Sequence, residues 1–149
     1  MNPDRPTFDP KRCRILIADD CATSRMMEDL ILRREGHEVL FASDGAQALA
    51  MARMFSPDLI LLDLHMPELS GLEVLKGLKR SAETRDVPVI VVTTSAEPTV
   101  YAAAAESGCD AFLTKPFHAE TLLLSVEKNL AKARSRAQKA SIHEAGQPQ

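Results

Sequence analysis

The sequence predicts an α/β fold: a five-stranded parallel β-sheet, doubly wound, with helices on both faces. Three observations predict it. Short apolar runs of strand character alternate along the chain with segments of helical period, the pattern that builds parallel sheets through right-handed crossovers. The best of these runs are continuously apolar, as strands covered on both faces are. Each run also stops at a polar residue. Asp19 and Asp20 follow Arg14–Ala18, Asp63 follows Leu59–Leu62, Thr93 follows Val89–Val92, and Lys115 follows Ala111–Thr114.

Residues 1–12 contain three prolines and read as a loose arm. Arg14–Ala18 is the first strand. Met26, Met27, Leu30 and Ile31, with Arg33 and Arg34, then carry a helix over about 22–35, which Gly36 is placed to stop. Glu38–Ala42 is the second strand. Ala46, Leu49, Ala50 and Met54 mark the second helix, and Pro57 follows its end. Leu59–Leu62 is the third strand. The segment from Pro67 to Gly71 reads as a turn leading into helix three, whose apolar positions are Leu72, Val74, Leu75 and Leu78. Val87–Thr93, rich in β-branched residues, is the fourth strand. Pro98 suits the first turn of helix four, Tyr101 to Ala105 continue it, and Gly108 ends it. Ala111–Thr114 is the fifth strand. The last helix begins near Ala119 and docks through Leu122, Val126 and Leu130. Five such units in roughly 115 residues predict the flavodoxin-like strand order 2-1-3-4-5.

Past Leu130 the last helix offers only Ala133 and Ala137 as apolar positions, among Lys128, Lys132, Arg134, Arg136 and Lys139. This reads as a solvated helix end whose cations oppose the negative end of the dipole. Glu144–Gln149 reads as a disordered tail. The chain thus divides into an arm at 1–12, a folded domain at 13–132 and an extension at 133–149. A length of 149 residues fits that single domain.

A formal net charge of -3 gives the whole molecule no bias toward nucleic acid. The basic extension has no helix-turn-helix pattern with a core of its own. No apolar stretch approaches the roughly 20 residues that span a bilayer. The first ten residues lack an apolar signal core, so the expected compartment is the cytoplasm. Cys13, Cys21 and Cys109 show no metal-binding spacing and are expected as free thiols. Cys21, beside the acidic edge, reads as a small filler.

In an open parallel sheet, ligand chemistry gathers at the carboxyl ends of the strands. Three carboxylates, a hydroxyl and an amine are therefore expected on one edge. Each has an ordinary structural use taken alone: Asp20 as a helix cap, Asp63 as a turn residue, Thr93 as a β-branched strand residue, Lys115 as an exposed strand end. Their recurrence at four strand ends points to a shared site. Two carboxylates about 4 Å apart repel by about 4 kcal/mol at an effective dielectric of 20, so at least one pKa rises unless a cation sits among them. A hard divalent ion resolves that conflict, and Mg2+ is the natural choice beside phosphate. One carboxylate can then accept a phosphoryl group as nucleophile. Lys115 is the candidate ammonium for the transferring oxygens, and the Thr93 hydroxyl can donate to another.

The segments Ile15-Leu-Ile-Ala-Asp-Asp20, Leu61-Leu-Asp-Leu-His-Met-Pro67 with Gly71, Val91-Val-Thr93 and Lys115-Pro116-Phe117 together resemble the receiver domain of two-component response regulators, over about Arg14 to Lys132. The resemblance implies that Asp63 is the phosphoacceptor. It implies that Asp20 and Asp63 bind Mg2+ directly with the main-chain carbonyl of His65, and that Asp19 acts mainly through a metal-bound water. Thr93 and Lys115 would hold the phosphoryl group, and the Lys115–Pro116 bond is expected to be cis. Phe112 occupies the family's aromatic switch position and would move with Thr93. That movement would remodel the face built from helix four, strand five and helix five. His65 and Ser95 stand where the family varies and influences the lifetime of the phosphate, and Thr94, bulkier than the family's usual small residue there, is expected to narrow access to the phosphoryl group. The His65 side chain is expected at the rim.

These expectations describe a stand-alone receiver and not an enzyme: a phosphorylation-controlled binding module. Its donor would be a histidine kinase or a histidine phosphotransfer protein, its target a protein, and its state a monomer or a phosphorylation-dependent dimer. A phosphorelay intermediate or phosphate sink would use the same site. A phosphohydrolase of the haloacid-dehalogenase type fits less well, because Asp63 is followed by Leu64 and His65 and lacks a second carboxylate two residues on.

Overall fold

The computed structural model describes residues 12–66, 69–95 and 97–146. Apart from Arg12, the expected arm lies outside the described residues, as do Pro67 and Glu68 of the expected turn. The elements alternate strictly: β1 (Arg14–Ala18), α1 (Ala22–Arg34), β2 (Glu38–Ala42), α2 (Gly45–Phe55), β3 (Leu59–Asp63), α3 (Gly71–Arg80), β4 (Val89–Thr93), α4 (Pro98–Glu106), β5 (Ala111–Thr114) and α5 (Ala119–Gly146). All strand pairs are parallel and the order is β2-β1-β3-β4-β5, as predicted.

The apolar runs explain which strands lie in the middle. Every residue of β3 and β4 is buried, whereas β2 and β5 at the edges are only partly covered. Because side chains alternate across a strand, the central strands feed two cores. Leu16, Ala18, Ile60, Leu62, Val89 and Val91 meet α2, α3 and α4 on one face. Ile15, Ile17, Leu59, Leu61, Ile90 and Val92 meet α1 and α5 on the other, where Leu32, Leu122, Val126 and Leu130 close the layer.

The helix ends follow local chemistry. Gly36 and Gly108 adopt positive φ just past α1 and α4, the left-handed conformation that ends a helix at least cost. Asp44 and Ser70 cap α2 and α3, accepting from the main-chain N–H groups of Gln47 and Glu73. Pro98 stands in the first turn of α4. Among the described residues no helix is long and apolar enough to cross a membrane, and all three cysteines are free.

Two sequence expectations are corrected. In α1 the large apolar residues Met26, Met27 and Leu30 face solvent, Met26 with 72% of its surface exposed, while Glu28 and Leu32 are buried. In α2 the buried positions are Gly45, Ala48 and Ala52, with Leu49 and Met51 partly covered and Met54 exposed. The cause is close approach: small residues let α2 sit tightly on the sheet, and a reading weighted by side-chain size picks the wrong face. The last helix starts at Ala119 and runs on through Gly146, and residues 147–149 lie outside the described residues. From residue 131 to 139 the helix is largely exposed, and Arg136 approaches Asp110 at 3.7 Å.

Gly71 ties α3 to the end of β3. Its N–H donates to the Leu64 carbonyl at 3.0 Å. A β-carbon there would lie 2.4 Å from both the Asp63 carbonyl oxygen and the Leu64 α-carbon, so main chain would have to move. Gly71→Ala is expected to cost about 1–3 kcal/mol by overpacking, read as a lower urea midpoint. The Asp63 amide resonance is expected to shift more than those of β2.

His37, just past α1, is buried, and its Nδ1 accepts from the main-chain N–H of Cys13 at 3.0 Å. The ring must therefore be neutral with its proton on Nε2. Burial holds its pKa below the ordinary 6.5 despite the carboxylates of Glu35, Glu127 and Asp58. The unfolded chain then binds the extra proton more readily, so this contribution to stability is complete above the unfolded value and is lost as pH falls through the folded one. Chemical denaturation at pH 7.5 and 5.5 is expected to show wild type losing more stability than His37→Asn.

Candidate functional site

Sheet register sets the site. Ala18 pairs with Leu62, so Asp19 and Asp63 leave adjacent strands at one level. Thr93 pairs with Thr114, which puts Lys115 one step beyond it. Asp19, Asp20 and Asp63 each offer a carboxylate oxygen, and these oxygens lie within 4.8 Å of one another. Asp19 and Asp63 are buried, Asp63 with 8% exposure, while Asp20 is exposed.

One ammonium answers these acids. Lys115 Nζ lies 2.7 Å from Asp19 Oδ2, 3.3 Å from Asp63 Oδ2 and 3.3 Å from Ser24 Oγ. The remaining oxygens are held by the main chain: Asp19 Oδ1 accepts from the Cys21 N–H at 2.8 Å, and Asp63 Oδ1 from the His65 N–H at 2.9 Å. Arg25 Nη1 donates to the Asp19 carbonyl oxygen at 2.6 Å. The Lys115–Pro116 bond is cis.

Burial raises the pKa of Asp63, and the charge of Asp19 adds to it. The His65 N–H and the Lys115 ammonium pull the other way without cancelling the rise. At Lys115 burial works against the charged form, but the hydrogen bond to Asp19 and the charge of Asp63 prevail and raise its pKa. Two of the three carboxylates share one ammonium, with the Arg25 guanidinium at the Asp19 carbonyl beside them, and an all-oxygen donor set of this kind fits a hard divalent cation.

The other expected residues also have places. Thr93 is fully buried, and its Oγ1 accepts from the Ser95 N–H at 3.3 Å. The His65 side chain is exposed, so its backbone, and not its ring, supports Asp63. Thr94 lines a cleft beside Lys115. Phe112 is partly buried and meets Tyr101 of α4 edge-on, with centroids 5.2 Å apart and ring planes at 67°.

Besides Arg25, two residues near the site escaped the sequence reading, Ser24 and Glu28. Ser24 reaches Lys115 from α1. Glu28, one turn further along, is only 2% exposed. The one signal for them was helical phase, since both lie at four-residue steps from the buried Leu32.

A family model of the response regulator receiver domain matches residues 15–127. The chain is 40% identical over 118 residues to Protein PilH of Pseudomonas aeruginosa, covering 79% of this chain and 98% of PilH. It is 35% identical over 123 residues to the DNA-binding response regulator MtrA of Mycobacterium tuberculosis, covering 83% of this chain but only 53% of MtrA, so it spans about half of that relative. Among solved structures, the receiver domain of sensor histidine kinase PA1611 from Pseudomonas aeruginosa superposes with a TM-score of 0.76 at 26% identity, over 80% of this chain and 98% of that one. That domain holds a magnesium ion coordinated in its active site cleft. With the predicted sheet order and the acidic edge in place, the chain belongs to the response regulator receiver family, a family of signalling modules.

Proposed function

We propose that this chain is a stand-alone cytoplasmic receiver in which Asp63 accepts a phosphoryl group from a phosphohistidine of a histidine kinase or histidine phosphotransfer protein. The observation that carries the reading is the meeting of Asp19 and Asp20, after β1, with Asp63, at the end of β3, where the Lys115 ammonium pairs with Asp19 and Asp63. An Asp63 carboxylate oxygen attacks phosphorus. The new O–P bond forms as the N–P bond breaks, and the imidazole nitrogen keeps the electron pair. Lys115 and Thr93 take the phosphoryl oxygens, Lys115 by charge and Thr93 by its hydroxyl. Asp19, Asp20, Asp63 and the main-chain carbonyl of His65 would hold Mg2+, Asp19 mainly through water. The ion, when bound, neutralises charge on the phosphoryl oxygens.

The response passes to a protein target through the face of α4, β5 and α5. Thr93 and Phe112 are the residues that move. Support comes from the sheet: Phe112 stands two residues before Thr114, the β4 partner of Thr93, and its ring contacts Tyr101, which is exposed on α4. A relay or sink would share the same chemistry at Asp63.

Labelling with a small acyl-phosphate donor in the presence of Mg2+ tests the reading. Wild type is expected to gain a single acid-stable, base-labile phosphoryl group, and Asp63→Asn none. Label retained in Asp63→Asn would move the acceptor elsewhere.

A further inference from the structure

Among the described residues, Glu28 is an acid near the site to which the proposed chemistry gives no task. It is almost wholly buried in the middle of α1. Among the described residues, its Oε2 is the only buried side-chain oxygen or nitrogen without a hydrogen-bond partner. An aliphatic residue would fill the position without the penalty of an unsatisfied polar group. Burial, with the charges of Asp19 and Asp63 against it, pushes its pKa up to about 8, while Lys115 pulls it down.

Glu28 lines a cleft of about 210 Å³ whose wall is mainly apolar. Lys115 is the single cation in that lining. Its ammonium already touches α1 at Ser24, which precedes Glu28 by four residues and so shares its face of the helix. An ammonium bound to Asp63 Oδ2 competes directly with a divalent cation for that oxygen, because two cations at that range repel. An ion that takes the oxygen displaces the lysine from it and leaves the ammonium with Asp19 Oδ2 and with Ser24 Oγ on α1.

We propose that Glu28 is a positioning residue that acts through Lys115, a second station whose carboxylate receives the ammonium when a divalent cation takes the Asp63 oxygen. The inference rests on the reading of the acidic edge as a Mg2+ site. It gives the buried carboxylate the partner it lacks, and it keeps Lys115 beside the site, ready for a phosphoryl oxygen. Ionisation of Glu28 is favoured once the ammonium lies alongside.

The test is Mg2+ titration by calorimetry on the full chain for wild type, Glu28→Gln, Lys115→Ala and the double variant. Glu28→Gln is expected to weaken Mg2+ binding about five- to tenfold in the wild-type background and less than about twofold when Lys115 is alanine, a coupling a double-mutant cycle resolves. Glu28→Leu, which fills the same apolar wall, is expected to weaken binding as Gln does, and Glu28→Asp to restore part of it. Thermal unfolding confirms that each variant is folded. Wild-type affinity in a folded Glu28→Gln overturns the inference. So does an equal loss with and without Lys115, which would mean that Glu28 acts on the ion by its own field. If wild type fails to bind Mg2+, or Asp20→Asn leaves binding unchanged, the acidic-edge reading itself falls and takes this one with it.

Discussion

Everything at this site follows from like charges that the sheet does not allow to separate. Asp19 and Asp63 end neighbouring buried strands, and the ladder between β1 and β3 fixes their level. A surface pair of carboxylates would rotate apart. Here each is also gripped by a main-chain N–H from the following turn. The repulsion can be relieved only by a cation from outside or by Lys115 from inside. Burial raises the pKa of Asp63 by more than the His65 N–H and the Lys115 ammonium lower it, and the charge of Asp19 adds to the rise. A site left short of positive charge is primed for an ion and for a group that develops charge as it transfers.

The same constraint explains why the acidic edge communicates with the core. Gly71 brings the start of α3 against the carbonyl of Asp63 with no room for a side chain, and Gly45 does likewise for α2 against Leu69 and Val74. Asp63 and Leu64 thus lie against the start of α3, and Leu69 against the start of α2, so displacement of the Asp63 main chain meets helix backbone at once. On the far side of the sheet edge, Thr93 and Lys115 sit on paired strands, and Phe112 carries the contact from β5 to α4.

Legibility in the sequence divided along a physical line. Strand ends are one-dimensional features: a buried run that stops at a charge is visible in a string of letters, and register does the rest. Asp19, Asp20, Asp63, Thr93 and Lys115 are legible for that reason, and so is the strand order. Helix orientation is different. Which side of α1 faces the sheet depends on how the whole helix rotates to satisfy its packing. The exposed Met26, Met27 and Leu30 look like a core stripe, and the buried Glu28 looks like a solvent residue. In α2 the inward face is made of glycine and alanine, which carry little hydrophobic signal but permit the closest approach.

The residues hidden from a reading along the chain are thus concentrated on the helix that flanks the site, and they change the role of Lys115. Viewed from the strand ends alone, Lys115 is a fixed counter-charge for two acids. Viewed from α1, its ammonium hangs between a set of oxygens that it shares with any arriving cation and a helix face bearing Ser24 and an unsatisfied carboxyl. A side chain with four flexible methylenes and no fixed hydrogen-bond geometry suits movement between two such positions, where a planar guanidinium would be tied to one. The long lysine stem lines an apolar cleft that Glu28 also lines, while its ammonium is held by Asp19 and Asp63, and passage between those two places is what the proposed second station requires.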